Sequence, residues 1–177
     1  MREYTVDELL DAREERVDLI EMLVNKYNTT LLVMRVNYPG LQKTNVVTLT
    51  MIKEMSSLIS ATLGDKVRGE LLKQGAEGPI FYATVDEDVL VLKAIAVHFE
   101  ETETLGRCLD LDVYDRLGRS ISRQELGFPI RKCYLCNDYA HHCVRARRHS
   151  EHEIIAYIED KYRDYRERVG TREHDRE

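Results

Sequence analysis

The stretch Leu105-Gly106-Arg107-Cys108-Leu109-Asp110-Leu111-Asp112-Val113 decides how this chain is read. From Cys108 to Val113 apolar and acidic residues alternate, the period of a half-buried strand. On such a strand Leu109, Leu111 and Val113 face the core, and Asp110 and Asp112 share the opposite face. Two neighbouring carboxylates repel unless a positive charge lies between them. A divalent cation is the usual answer, and Mg²⁺ favours one or two carboxylates plus substrate phosphates. A wet strand face with solvated acids is the alternative. Gly106 permits close backbone approach, and Arg107 suits a phosphate.

The segments around this strand predict a single α+β domain over residues 1–177. Thr5-Val6-Asp7-Glu8 has the form of a capping box. Val6, Leu9, Leu10, Val17, Ile20 and Val24 follow at helical spacing, so a helix is expected from about Val6 to Lys26. Thr30–Val36 is apolar and β-branched and reads as a buried strand, ended by the turn Asn37-Tyr38-Pro39-Gly40. Asn45–Leu63 reads as a second helix stopped by Gly64. Gly69–Gly78 is glycine-rich and reads as a loop near its end. Ile80–Thr84 and Val89–Phe99 read as two strands around Asp86-Glu87-Asp88. Asp115-Arg116-Leu117-Gly118 is a turn. Ser122-Arg123-Gln124-Glu125 and Ser150-Glu151-His152-Glu153 open a short helix and a helix through about Tyr162. The mixed-charge tail 163–177 is expected to fray. The fold class expected is a small sheet carrying the Asp-x-Asp strand, with flanking helices.

Composition narrows the function. The 177 residues carry 26 basic and 32 acidic side chains, 43% hydrophobic residues, no Trp and three Phe. That is a globular composition with a net acidic charge, which argues against non-specific nucleic-acid or membrane binding as the main task. Tyr134 and Tyr139 are the aromatic residues beside the basic cluster, too few for an RNA platform. No apolar run is read as approaching the ~20 residues that span a bilayer. The acidic N-terminus lacks the apolar stretch of a signal peptide, so a cytoplasmic protein is expected. There is no Gly-x-Gly-x-x-Gly, Walker loop, Gly-x-Ser-x-Gly or His-Glu-x-x-His.

In a reducing compartment the four cysteines are thiols or metal ligands. Cys133, Cys136 and Cys143 followed by His149 have Cys₃His character and suit Zn²⁺, with His141 and His142 as competing fourth ligands. Buried thiols on a turn are the alternative. The segment 131–149 holds Arg131, Lys132, Arg145, Arg147 and Arg148 against Asp138 alone, a reversal of the overall sign that suits phosphate. Arg107, Arg116, Arg119 and Arg123 flank the aspartates. Arg13-Glu14-Glu15-Arg16 reads either as a solvated helix face or as part of an anion site. Lys43 after the Pro-Gly turn, and Lys93 read as within a strand, meet either anions or solvent.

Taken together these blocks resemble one family, the apo-citrate lyase phosphoribosyl-dephospho-CoA transferases, or holo-citrate lyase synthases. The resemblance rests on Leu105-Gly106-Arg107, Asp110-Leu111-Asp112-Val113, Gly118, Ile121-Ser122-Arg123, Arg131-Lys132-Cys133-Tyr134-Leu135-Cys136, Ala140, Cys143, Arg145 and His149. Arg13-Glu14-Glu15-Arg16, Pro39-Gly40 and Lys43 extend it toward the N-terminus. Glu103-Thr104 stands where the family usually has His-Pro, and Cys108 where it usually has a large apolar residue. The resemblance implies transfer of the phosphoribosyl-dephospho-CoA unit from 2′-(5″-triphosphoribosyl)-3′-dephospho-CoA to a serine of the acyl carrier subunit of citrate lyase, releasing pyrophosphate. It implies Mg²⁺ on Asp110 and Asp112, phosphate contacts from Arg107 and Arg123, further ones from Arg13, Arg16, Lys43, Arg131 and Arg145, and Asp112 or Glu100 as proton acceptor. The Asp-x-Asp strand also looks like that of polymerase-β-like nucleotidyltransferases. A non-enzymatic zinc-binding interaction module is the competing reading.

Overall fold

A computed structural model describes the backbone of residues 2–174. Helix α1 (Val6–Tyr27) opens on the expected capping box: the Glu8 amide donates to Thr5 Oγ1 at 3.2 Å, and Glu8 Oε2 accepts from the Thr5 amide at 2.9 Å. It ends where Asn28 turns left-handed at φ 50°. Strand β1 (Thr30–Val36) follows, then α2 (Val46–Leu63), which is capped by Asn45 and Thr48.

The loop expected near the end of 69–78 is a tight turn, Ala76-Glu77, and the residues before it are strand: β2 (Val67–Gly75) and β3 (Gly78–Val85) form a hairpin through that turn, with Gly75 paired to Gly78. β2 is a largely exposed edge strand, so it shows no apolar alternation. Gly69 follows a bulge, at a place where a Cβ would crowd Thr84 Oγ1 at 3.2 Å. Residues 89–99 are not the expected strand: Val89–Thr102 is helix α3. Asp88 Oδ1 accepts from the Leu90 and Val91 amides at 2.9 and 3.2 Å, a helix N-cap. The buried set Leu92, Lys93, Ala96, Val97, Phe99, Glu100 has helical, not alternating, spacing. The β-branched residues that suggested a strand yield here to tertiary packing.

Strand β4 (Leu109–Tyr114) buries every second residue, as expected, and the short β5 (Ser120–Ile121) pairs with its end. Ser122-x-x-Glu125 caps a single 3₁₀ turn. Helix α4 (Ala140–Arg145) and helix α5 (Glu151–His174) complete the chain. α5 does not stop near Tyr162. Ion pairs Arg163–Asp160 (3.0 Å) and Lys161–Asp164 (3.6 Å) lie along it, and Arg166 reaches Glu54 on α2 at 3.1 Å. Of the expected tail, residues 175–177 lie outside the described residues.

The sheet is antiparallel, in the order β2-β3-β1-β4-β5. One face packs Leu32, Met34, Phe81, Ala83, Leu109, Leu111 and Val113 against α2, α3 and α5. The other packs Leu31, Val33, Ile80 and Tyr82 against Ile20, Leu23 and Val24 of α1. This is the expected α+β domain, with helices on both sides of one sheet. The expectation that nothing approaches a membrane span needs amending: Val46–Lys66 is long and apolar enough by length and composition. Met51, Ile52, Met55, Ile59 and Leu63 of that helix are buried in the core facing the sheet.

Candidate active site

β4 aims Asp110 and Asp112 to the face that α1 covers, and the ladder sets what lies beside them. Arg35 of β1 pairs with Asp110, and Val33 pairs with Asp112. Arg35 is the one charged residue in the Thr30–Val36 run. One of its nitrogens, Nη2, donates to Asp110 Oδ2 at 2.8 Å and to Asp112 Oδ2 at 3.1 Å. The positive charge expected between the aspartates is thus an arginine of this chain. Its Nη1 lies 3.8 Å from Glu77 Oε1, and its Nε is buried with no hydrogen-bond partner among the described residues.

Glu77 reaches the cluster from the β2–β3 turn and is almost wholly buried there. Arg16 Nε donates to its Oε2 at 2.7 Å, and Arg13 Nε stands 3.8 Å from its Oε1. Arg13 and Arg16 are one helical turn apart on α1, so both side chains hang over the turn. Lys43, from the segment after the Pro39-Gly40 turn, donates to the Tyr38 carbonyl. These groups line an open cavity of about 420 Å³ whose cations are Arg13, Arg16, Arg35 and Lys43 and whose anions are Glu77 and Asp110.

The electrostatics follow from burial and neighbours. Burial opposes the charge on Arg35, but Asp110, Asp112 and Glu77 more than offset it, so its pKa stands above the ordinary value. Burial lowers Lys43, and the nearby Arg13 and Arg35 lower it further. Burial raises Asp112, and the like charge of Asp110 adds to this. Beside the cluster, the Tyr82 hydroxyl is buried without a hydrogen-bond partner among the described residues, and burial pushes it to about 12.

The remaining cations are distributed differently from the expectation. Arg131 donates to the Leu109 carbonyl at 2.9 Å and pairs with Glu100 at 2.5 Å, with Asp110 at 3.8 Å. Arg107 donates to the Lys132 carbonyl at 2.9 Å and lies over the Tyr134 ring. Arg123 holds Glu101 at 3.0 Å, the Pro129 carbonyl at 3.3 Å and Glu100 at 3.5 Å. Arg145 is exposed at the end of α4. The structure therefore gathers Arg13, Arg16, Lys43, Arg131, Asp110 and Asp112 around one site and sends Arg107 and Arg123 elsewhere. Glu100 is buried in α3, where its Oε1 accepts from the Leu111 amide at 2.8 Å. Lys93, which lies on α3 rather than on a strand, donates to the Leu111 carbonyl at 3.0 Å. β5 is too short to cover this edge of β4, so two helix side chains satisfy Leu111, the residue between the aspartates.

The Cys/His segment folds into one ligand set. The Cys133 amide donates to the Asp138 carbonyl at 2.8 Å, closing a knuckle, and the Leu135 amide points to Cys133 Sγ at 3.5 Å. The ligand atoms of Cys133, Cys136, Cys143 and His149 all lie within 4.8 Å of one another. Tetrahedral zinc with Zn–S of about 2.3 Å separates its sulfurs by about 3.8 Å, so the set fits a metal ion. His149 Nε2 is buried and has no hydrogen-bond partner among the described residues. Of the competing histidines, His142 is bound to Asp138 at 3.1 Å, and both it and His141 pack beside Tyr139. The Asp138 backbone amide lowers Cys136 to about 6, whereas burial raises Cys143 to about 12.

Sequence reading missed Arg35 and Glu77. Their signals were a lone charge inside an apolar strand, and an acid flanked by glycines at positions 75 and 78.

The family model described as apo-citrate lyase phosphoribosyl-dephospho-CoA transferase matches residues 4–165. A probable apo-citrate lyase phosphoribosyl-dephospho-CoA transferase of Vibrio cholerae is 32% identical over 165 residues, covering 91% of this chain and 93% of that one. The apo-citrate lyase phosphoribosyl-dephospho-CoA transferase of Citrobacter koseri is 27% identical over 158 residues, 88% of this chain and 86% of the relative. Protein CitXG of Haemophilus influenzae is 29% identical over 171 residues, 94% of this chain and 37% of the longer protein.

Proposed function

The chain belongs to the apo-citrate lyase phosphoribosyl-dephospho-CoA transferase family, and from that premise we propose that it joins the phosphoribosyl-dephospho-CoA unit to a serine of the acyl carrier subunit of citrate lyase. The donor is 2′-(5″-triphosphoribosyl)-3′-dephospho-CoA. The serine oxygen attacks the phosphorus next to the ribose, the bond to the β-phosphate breaks, a phosphodiester forms and pyrophosphate leaves. One observation carries this reading: the cavity lined by Arg13, Arg16, Arg35 and Lys43, which opens beside Asp110.

Each residue has a part. Arg13, Arg16 and Lys43 take the triphosphate oxygens, the arginines by paired contacts and the lysine as a point charge. Asp110 and Asp112 present two carboxylate oxygens to one point and so fit a small hard cation, for which we name Mg²⁺. When bound, it offsets charge at the attacked phosphorus and on the leaving group. Asp112 is the carboxylate to which we assign the serine proton. Glu100 is committed to Arg131 and to the Leu111 amide, so it serves the strand rather than the substrate. Arg107 and Arg123 act on the Cys/His segment and on α3.

Cys133, Cys136, Cys143 and His149 would hold Zn²⁺, and with four protein ligands it would be a structural rather than a catalytic ion. The enzyme works in the cytoplasm. A zinc module that only binds a partner has no use for the Asp110/Asp112 pair or for its cationic cavity.

The test is intact-mass spectrometry of the apo carrier incubated with this protein, Mg²⁺ and the triphosphoribosyl donor. We expect a gain of one prosthetic group, lost with EDTA and in Asp110→Asn and Asp112→Asn. Full transfer by either mutant would remove the aspartates from the reaction. No gain, while a family member succeeds in parallel, would overturn the proposed acceptor and donor.

A further inference from the structure

We propose that Arg35 is a displaceable internal cation, holding the metal position between Asp110 and Asp112 in the free enzyme and leaving it for the triphosphate when substrate arrives. This rests on the function proposed above and adds to it an order of binding.

The geometry carries the argument. A single nitrogen, Nη2, lies 2.8 Å from one aspartate oxygen and 3.1 Å from the other. A Mg²⁺ ion bound to both oxygens would sit about 2.1 Å from each, in space that the guanidinium now fills. Two cations cannot share that point, so the arginine and the metal exclude each other. Arg35 Nε is buried without a hydrogen-bond partner among the described residues, so leaving the aspartates breaks no bond at that atom. Its Nη1 already leans toward Glu77, 3.8 Å away, on the side of Arg13 and Arg16. The planar fork of a guanidinium suits two oxygens of a phosphate, and the cavity it lines already gathers three other cations. Triphosphate in that cavity therefore offers Arg35 a stronger partner than the aspartates, and the vacated oxygens receive the metal.

Metal and substrate then help each other bind, by the same factor in either order. The free enzyme resists divalent cations, so it does not hold the two carboxylates in an unproductive metal complex before the donor is present.

Two measurements on the full chain test this without reading transfer. The first titrates Mn²⁺ and follows the free ion by electron paramagnetic resonance, with no phosphate present. Arg35→Met, and Arg35→Gln as a polar variant of similar size, are expected to bind Mn²⁺ about 5- to 150-fold more tightly than wild type, the usual range of such couplings. Adding Asp110→Asn to either should abolish the gain. The second follows the Arg35 Nε–Hε resonance, identified by its absence in the variants, as inorganic triphosphate is added with EDTA. We expect it to shift as Nε gains a partner. Wild type binding Mn²⁺ as tightly as both variants would overturn the inference and leave the transferase reading standing, because the mass assay reads that separately. No Mn²⁺ bound by any variant would overturn both the inference and the metal assignment. An unmoved Arg35 resonance under saturating triphosphate would overturn the displacement.

Discussion

Glu100→Ala is the perturbation that most directly tests how the site is held. Glu100 is 5% exposed and makes three contacts: it accepts from the Leu111 amide at 2.8 Å, pairs with Arg131 at 2.5 Å and lies 3.5 Å from Arg123. Truncation leaves Arg131 short of its nearest carboxylate and strands a buried amide. Removing one partner of a buried ion pair costs about 3–5 kcal/mol, because the other charge stays behind uncompensated. For a chain of this size each kcal/mol moves Tm by about 2–4 °C, so the midpoint should fall by about 10 °C in thermal unfolding followed by circular dichroism. Lys93 supplies the control. It donates to the Leu111 carbonyl and faces Glu100 electrostatically, so Glu100→Ala also deprives Lys93 of its countercharge. Lys93→Met added to Glu100→Ala should therefore cost less than the two single losses together. Leu111 lies between the two aspartates, so freeing its backbone should also lower transfer at temperatures where the variant is still folded. A midpoint within about 3 °C of wild type would refute the claim that helix α3 side chains complete the open edge of β4.

Four further outcomes follow from particular contacts. A Cβ at Gly106 would stand 2.6 Å from the Glu100 carbonyl oxygen and closer still to that of Phe99, so Gly106→Ala should cost about 1–3 kcal/mol, read as a lower urea midpoint; an unchanged midpoint would show that the backbone there yields freely. Tyr82→Phe removes a buried hydroxyl that has no partner, so stability should stay level or rise by about 1 kcal/mol, and a clear loss would reveal a bond the hydroxyl makes. In metal-stripped protein Cys136, lowered to about 6, should be alkylated by iodoacetamide ahead of Cys143, raised to about 12; zinc should protect both, and peptide mass spectrometry showing the reverse order would contradict the Asp138 amide as its activator. Burial holds Lys93 below its ordinary 10.5, so in the window just under 10.5 the unfolded chain keeps a proton that the folded chain has released, and stability rises with pH there. The Tm of wild type minus that of Lys93→Met should grow across that window, and a shrinking difference would reverse the sign of the argument.

How legible the molecule is from its sequence depends on the range of the interactions involved. Capping boxes at Thr5–Glu8, Ser122–Glu125 and Ser150–Glu153 are local and could be read directly. The alternation of β4 was equally plain, because one of its faces is wet. Residues 89–99 are misleading because Val89, Val91, Ile95 and Val97 suit a strand, whereas the Asp88 N-cap and the helical burial of this segment show only in the folded chain. β2 misled because an exposed edge strand has little apolar pattern to show. At the site, Asp110 and Asp112 lie two residues apart and announce themselves. Arg35 and Glu77 join them only through the register that sets Arg35 opposite Asp110 and through a hairpin turn, neither of which local pattern encodes.

The Cys/His segment bears on the site through the same logic of backbone continuity. Arg131 lies two residues before Cys133, and the Lys132–Tyr139 bridge ties the intervening chain to the start of α4. Arg131 reaches back to the Leu109 carbonyl, to Glu100 and toward Asp110. Any ion that fixes Cys133 therefore fixes the base from which Arg131 extends. If the proposed zinc is bound there, its removal should act first on Arg131 and on the β4 edge, and leave the packing of α1 on Val33 and Tyr82 intact. Hydrogen exchange of the chelated protein would tell: faster exchange at Leu111 with no change at β1 supports this coupling, and uniform loss of protection would mean that the metal supports the whole domain instead.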